Sequence, residues 1–140
     1  MDLLLLIARI VFCGIFAASA VGHFTQTTNM AGYAESRGVP NARIMVLIGG
    51  VALALGTVSL VLGIWADLGA LALILFLVPT AFTMHAFWKE TDAQARQMEQ
   101  IHFMKDLGLA GGALGFFVIF AYFGPAIDWT ITDSAFSLTP

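Results

Sequence analysis

Val78-Pro79-Thr80-Ala81-Phe82-Thr83-Met84-His85-Ala86-Phe87-Trp88 closes one apolar block, and Ile101-His102-Phe103-Met104-Lys105-Asp106 opens the next. A polar link, Lys89 to Gln100, lies between them. A greasy run, a solvated link and a second greasy run describe a chain that leaves an apolar medium and re-enters it. Two of the three histidines and three of the six basic residues fall in this stretch. A chemical site, where the chain has one, is expected to border it.

Outward from this stretch the same alternation covers all 140 residues, which are 59% hydrophobic and 11% charged, with a mean hydropathy of +0.89. A soluble domain carries about 25% charged residues. Apolar blocks at about 3–23, 44–64, 68–88 and 101–123 are each close to the roughly 20 residues that cross a bilayer as a helix. The expected fold is all-α, an integral membrane four-helix bundle, with residues 1–140 as one transmembrane domain. The N-terminus has no basic n-region ahead of its apolar run, so the first block is expected to remain as a transmembrane helix. No basic cluster is interleaved with exposed aromatics, which excludes a nucleic-acid partner. Cys13, the one cysteine, lies inside the first block and reads as packing.

The links have their own signals. Asn29 to Arg37 reads as a short helix, capped by Thr28 or Asn29 and stopped by Gly38 and Pro40. Asn41 is the candidate N-cap of the second block. Gly49, Gly56 and Gly63 recur every seven residues, a small face that another helix can approach. Trp65-Ala66-Asp67 is short enough to force an antiparallel hairpin. Pro79 should kink the third block, with Thr80 and Thr83 serving the freed carbonyls. Thr91-Asp92-Ala93-Gln94 has capping-box spacing, so a helix should start near Asp92 and run on into the membrane. Gly108 with Gly112, and Gly111 with Gly115, are small-xxx-small pairs; Gly124-Pro125 ends the fourth block.

Four crossings put both termini and the Asp67 hairpin on one side and the two long links on the other. The long links and their flanks carry Arg37, Arg43, Lys89, Arg96 and Lys105. The positive-inside rule then places the links in the cytoplasm and both termini on the non-cytoplasmic side. Trp65, Trp88 and Trp129 fit interfacial belts.

The same topology brings His23, His85 and His102 to one membrane border. Asp106, four residues after His102, shares its helical face, and Lys89 stands four after His85. The set fits three descriptions. It is a group of interfacial histidines with polar partners; or a holder for a quinone head group or other lipid-soluble ligand, where a histidine donor and a nearby charge stabilise a reduced anion; or a ligand set for zinc, copper or iron. No metal is assigned. A covalent cofactor is not expected, because no CxxCH motif is present and the histidines are not mid-membrane. Met84, Met98 and Met104 read as packing, and the Glu, Gln and Lys residues of the polar link as a solvated face. Arg9 sits roughly 10 Å inside the first helix at 1.5 Å per residue. It is an anchor that snorkels, an ion pair with Asp67, Asp2 or Asp128, or a ligand-binding residue.

The chain resembles the DoxX family of small four-helix bacterial membrane proteins, which includes a subunit of a thiosulfate:quinone oxidoreductase. The resemblance is carried by Ala8-Arg9-Ile10, Gly22-His23-Phe24, Tyr33, Gly38-Val39-Pro40 and the Gly49-Gly50 to Gly63 helix. It continues through Met84-His85-Ala86-Phe87-Trp88, Gln100 to Leu107, Gly111-Gly112 and the tail Gly124 to Trp129. It implies a multi-pass protein of the bacterial inner membrane that serves membrane redox chemistry and binds quinone near His23, His85 and His102. In that reading His85 or His102 donates to a quinone oxygen, Asp106 orients His102 and relays a proton, and Lys105 or Lys89 adds positive field. Two departures stand out. Val51-Ala52-Leu53 replaces a glutamate found in many relatives, and Lys105-Asp106 replaces a common Lys-Asn. The alternative is a non-catalytic accessory subunit that docks on other membrane subunits, or on its own copies, through the glycine faces of the second and fourth blocks. A transporter is a third option, and no reaction is assigned.

Overall fold

A computed structural model describes residues 2–138, with the side chain of Asp2 outside the description. The chain forms α1 (Asp2–Thr25), α2 (Thr27–Ser36), α3 (Ala42–Leu62), α4 (Ala66–Met84), a 3-10 turn at Phe87–Lys89, α5 (Ala93–Phe123) and a second 3-10 turn at Gly124–Ala126. The helices α1, α3, α4 and α5 are long and apolar enough to cross a membrane. They alternate in direction, so α1 and α4 end where α3 and α5 begin. α3 packs on α1 and α4, α4 packs on α5, and the short α2 lies on α3. α1 and α5 meet through side chains, with Phe12 and Phe116 rings 5.1 Å apart.

Residue size decides this layout. Lipid tails are as apolar as leucine, so helices associate in a bilayer through close packing. Leu4, Val11, Leu55 and Leu75 face outward, whereas Phe16, Leu53, Leu60, Leu73 and Phe120 fill the centre. The glycines of α3 are used inside. A Cβ on Gly56 would stand 3.1 Å from the Gly69 carbonyl oxygen, and one on Gly50 would stand 2.9 Å from the His23 Cβ. Gly63 ends α3 in the left-handed conformation, φ +67°, against Thr130. On α5 only Gly112 of the paired glycines meets a neighbour, Phe12; Gly108, Gly111 and Gly115 have nothing within 4 Å.

Several local expectations change. α1 runs almost directly into α2, because the Thr27 hydroxyl donates back to the His23 carbonyl at 2.6 Å. α2 therefore starts ahead of Thr28 and Asn29, with Gln26 at its cap and no side-chain capping bond. Asn41 stands at the α3 cap in a left-handed conformation and also makes no side-chain cap. α4 stops at Met84, short of Trp88, and His85 already leaves the helix. Phe82, Phe87, Trp88 and Phe103 pack edge to face there, which holds the chain in its 3-10 turn. Lys89 consequently does not sit one helical turn beyond His85. The α5 cap is Asp92, whose carboxylate accepts from Ala95 N at 2.8 Å, one residue after Thr91. Thr80 and Thr83 donate to the Phe76 and Pro79 carbonyls. The carbonyl that Pro79 frees belongs to Leu75, four residues back, so neither threonine serves it.

The tail folds back across the end of the bundle that holds Asp67. Ile131 N and Thr132 N donate to the Gly63 carbonyl at 3.0 Å each, and Leu138 N to that of Ala121 at 3.0 Å. Asp67, fully buried, accepts from Ala135 N at 3.1 Å and Phe136 N at 2.6 Å.

Candidate functional site

The opposite end of the bundle holds a polar cluster built from three elements. α2 contributes Tyr33 and, at its C-terminal cap, Arg37. The break after α4 contributes His85 and Glu90, and the first turns of α5 contribute Glu99, His102 and Asp106. Glu99 is the hub. It accepts from the Tyr33 hydroxyl at 2.6 Å and from Arg37 Nη2 at 2.8 Å through one oxygen, and pairs with His85 Nδ1 at 2.8 Å through the other. Arg37 also pairs with Glu90 and lies over the Tyr33 ring, 4.9 Å from its centroid. The Glu90 carboxylate strengthens the hold of Arg37 on its proton. Burial, with the Glu99 carboxylate adding to it, pushes the Tyr33 hydroxyl above its ordinary value of 10.0.

On its other side His85 faces Asp106, Nε2 to Oδ2 at 3.6 Å, and Lys105 Nζ stands 3.3 Å from Asp106 Oδ1. His85 also stacks on His102, with centroids 5.1 Å apart and planes 29° from parallel. His85 thus links two carboxylates of one helix face, since Glu99 and Asp106 are seven residues apart, about two turns of α5.

Beneath this cluster lies a cavity of about 1090 Å³ whose walls are mostly apolar. Phe16, Leu53, Phe76 and Leu109 are among its apolar lining residues, and Tyr33, Arg37, His23, His85, Lys89, Lys105 and Asp106 are among its polar ones. That volume is slightly above the range usual for small-molecule sites, and the exposed lining residues Ile48, Leu75 and Phe82 leave the cavity open along its side. His23 is buried against Phe76, ring centroids 5.6 Å apart, with Nδ1 donating to the Ser19 carbonyl at 2.8 Å. Gly49 and Gly50 of α3 make the room for that ring.

The structure brings His23, His85, Lys105 and Asp106 to one cavity and leaves two candidates outside it. His102 stacks behind His85 and is not part of the lining. Asp106 therefore partners His85, not His102, although helical spacing pointed to His102. Arg9 is at the other end of the bundle. It is fully buried, donates through Nη2 to the Trp129 carbonyl at 2.9 Å, and lies over Phe120 at 5.6 Å. It neither snorkels nor pairs with Asp67 or Asp128; the Asp2 side chain lies outside the described residues. Among those residues its Nε and Nη1 have no partner.

Sequence reasoning missed Glu99, Glu90, Arg37 and Tyr33 as a unit and treated the link carboxylates as solvated. One signal was present: Glu99, His102 and Asp106 recur at i, i+3 and i+7, a single helical stripe that begins before the apolar block. Among the described residues, no group of three or more His, Cys, Asp or Glu is arranged to hold a metal ion.

Four long apolar helices, with a polar-rimmed, half-open cavity at one end of the bundle, define a small multi-pass membrane protein. The chain belongs to the DoxX family, whose model matches residues 4–86, more than half its length. That match ends one residue beyond His85, so the carboxylates of α5 lie outside it. No curated protein and no solved structure matches the chain.

Proposed function

We propose that this DoxX-family protein holds a lipid-soluble, ring-headed ligand of the quinone class, its head group at His85, Asp106 and Lys105 and its apolar part along Leu53, Phe76 and Leu109. The observation that carries this reading is the roughly 1090 Å³, mostly apolar cavity ending in a half-buried histidine beside a buried carboxylate. Ionisable groups within a membrane segment are rare and usually mark ligand or proton pathways. His23, held by Ser19 with Nδ1 as donor, offers Nε2 toward the same space as an acceptor. A membrane-redox role follows from that ligand class.

Lipid extracts of the detergent-purified protein are expected to contain quinone, and titration with a short-chain quinone should saturate. His85→Ala, with an unchanged helical spectrum, should weaken binding about tenfold or more, the loss expected for a hydrogen bond to a charged or polar centre in a low-dielectric site. Absence of quinone from the extract together with no saturable titration overturns the reading.

A second reading, the accessory subunit, is favoured by one observation: Gly108, Gly111 and Gly115 leave an unfilled small face on α5. Native pull-down should then return other membrane subunits or further copies of this chain, insensitive to His85→Ala. For either reading the proposed setting is the bacterial inner membrane, with the long links cytoplasmic and both termini outside, by the positive-inside rule. A reporter fused to the C-terminus that is active only outside the cytoplasm checks that orientation.

A further inference from the structure

The cavity is open where α3 and α4 part. Near the hairpin the two helices approach closely, since a Cβ on Gly56 would stand 3.1 Å from the Gly69 carbonyl oxygen. Neither glycine lines the cavity. Between that crossing and the link-side helix ends, one stripe of each helix does. On α3 the stripe is Met45, Ile48, Gly49 and Ala52; on α4 it is Ala72, Leu75, Phe76 and Pro79. Each set has the i, i+3, i+4, i+7 spacing of a single helical face, so two faces wall the same space. The α3 stripe is buried at Gly49, whereas Met45, Ile48 and Leu75 are 45%, 55% and 65% exposed. The wall therefore ends in an opening on the flank of the bundle.

That flank lies within membrane-spanning segments. At 1.5 Å per residue, Ala52 is about 15 Å from the start of α3 and Ala72 about 18 Å from the end of α4. Those depths are about half of a hydrocarbon core roughly 30 Å thick, so the opening faces one leaflet, the one beside the two long links. None of the eight stripe residues has a polar side-chain atom. The neighbouring Thr80 and Thr83 hydroxyls are committed to carbonyls of their own helix. Phe76 lies across the gap: a Cβ on Gly49 would stand 2.8 Å from its ring, which also rests against His23. An apolar tail meets apolar walls and an aromatic face there, and a polar group meets no side-chain partner. The polar end is different. Tyr33 and Arg37 tie α2 to Glu99, and Arg37 also holds Glu90. Charge-assisted bonds are the strong ones, so entry between α2 and the α4–α5 link breaks them, and entry along the flank breaks none.

We propose that the gap between α3 and α4 is a lateral portal, through which the ligand enters sideways from the leaflet beside the long links and in which its apolar tail stays. The occupant is then a ring-headed amphiphile with a flexible alkyl or isoprenoid tail, not a compact ring delivered from water. This rests on the cavity being the ligand site proposed above. Ile48, Ala52 and Leu75 form the threshold, and Phe76 is the ring against which the tail lies.

Photolabelling tests it. The probe is a quinone whose short alkyl tail ends in a diazirine, bound to the full chain in phosphatidylcholine nanodiscs. Label that excess unlabelled quinone competes away should map by mass spectrometry to residues 45–52 and 72–79. Ile15 of α1 also lines the cavity and is exposed, so it marks the competing exit. Competed label beside Ile15 or on α2, or binding with no competed label on α3 or α4, overturns the portal and spares the cavity reading. Absence of both saturable binding and competed label overturns both. A second measurement compares a decyl-tailed quinone with the same ring lacking the tail. Ala52→Trp should cut the affinity advantage of the tailed form by about tenfold or more, the scale of an overpacked apolar contact. An unchanged advantage overturns the portal. Should Ala52→Trp not fold, the labelling of the unmutated protein decides alone.

Discussion

Arg9 carries a positive charge to a place where no described carboxylate answers it. Its guanidinium has the Trp129 carbonyl and the face of Phe120, while two of its nitrogens have neither. Removing such a charge has two opposing effects. It forfeits a charge-assisted hydrogen bond and a cation–π contact, together about 2–5 kcal/mol. It also relieves a buried ion of a desolvation cost of several kcal/mol. The relief is the larger because only one bond offsets it. Arg9→Met is therefore expected to leave the melting temperature in detergent unchanged or raise stability by about 1–3 kcal/mol. Ligand titrations should not change, because Arg9 lies at the far end from the cavity. A large loss of stability would mean that the two free nitrogens have partners. His85 is the opposite case at the same scale. Every polar atom of its ring faces a carboxylate, and its value lies in what it connects.

The element with the most leverage is α2. It is short, only Thr27, Ala31 and Ala34 of its ten residues are buried, and its apolar contact is a patch against Ala42 and Val46 of α3. A helix of this length is marginal alone. Its docking depends on Arg37 and Tyr33 reaching across to Glu90 and Glu99. α2 also supplies Tyr33, Ala34 and Arg37 to the cavity lining, so the latch and the chamber share a wall. Arg37→Gln should release α2 and raise amide exchange across residues 27–36 by about tenfold or more, as expected for the loss of about 1.5–3 kcal/mol of charge-assisted bonding. Exchange in α3 and α4 should hold. Uniform acceleration through all helices would show that Arg37 supports the bundle rather than α2.

For the whole molecule the two ends are built differently. One end is a chamber with a polar rim. The other is closed by the tail, whose amides are collected by the buried Asp67 carboxylate and the open carbonyls of Gly63 and Ala121. Hydrogen bonds to an ionised acceptor are the strong ones, so the buried carboxylate holds the tail where no backbone ladder does. Asp67→Ala would remove the acceptor of the Ala135 and Phe136 amides. The expected loss is about 1–3 kcal/mol, because two part-buried bonds to a charged acceptor are exchanged for bonds to water. Limited proteolysis should then cut within residues 127–138 first, and the cavity should keep its affinity. Loss of ligand binding with an intact tail would tie the two ends together in a way this geometry does not.

Composition and block length by themselves determined that the chain is helical, that four helices suit a bilayer, and that three histidines gather at one end. Those properties are local: they need only the apolarity of about 20 consecutive residues and the direction reversal at each link. The Asp92 start of α5 was legible for the same reason, since a cap is a matter of three neighbouring residues. The composition of the site was not. Spacing along α5 tied Asp106 to His102, but the end of α4 at Met84 lets His85 swing between Glu99 and Asp106 instead. Glu99 looked like a solvated link residue, and Arg37 like the end of a short helix, until α2 packed beside the α4–α5 link. Arg9 looked like a partner for an aspartate until the tail took Asp67 for its own amides. Which charge meets which depends on the rotation of each helix about its axis and on where a helix stops, and packing between helices sets both. Only the tertiary structure could decide them.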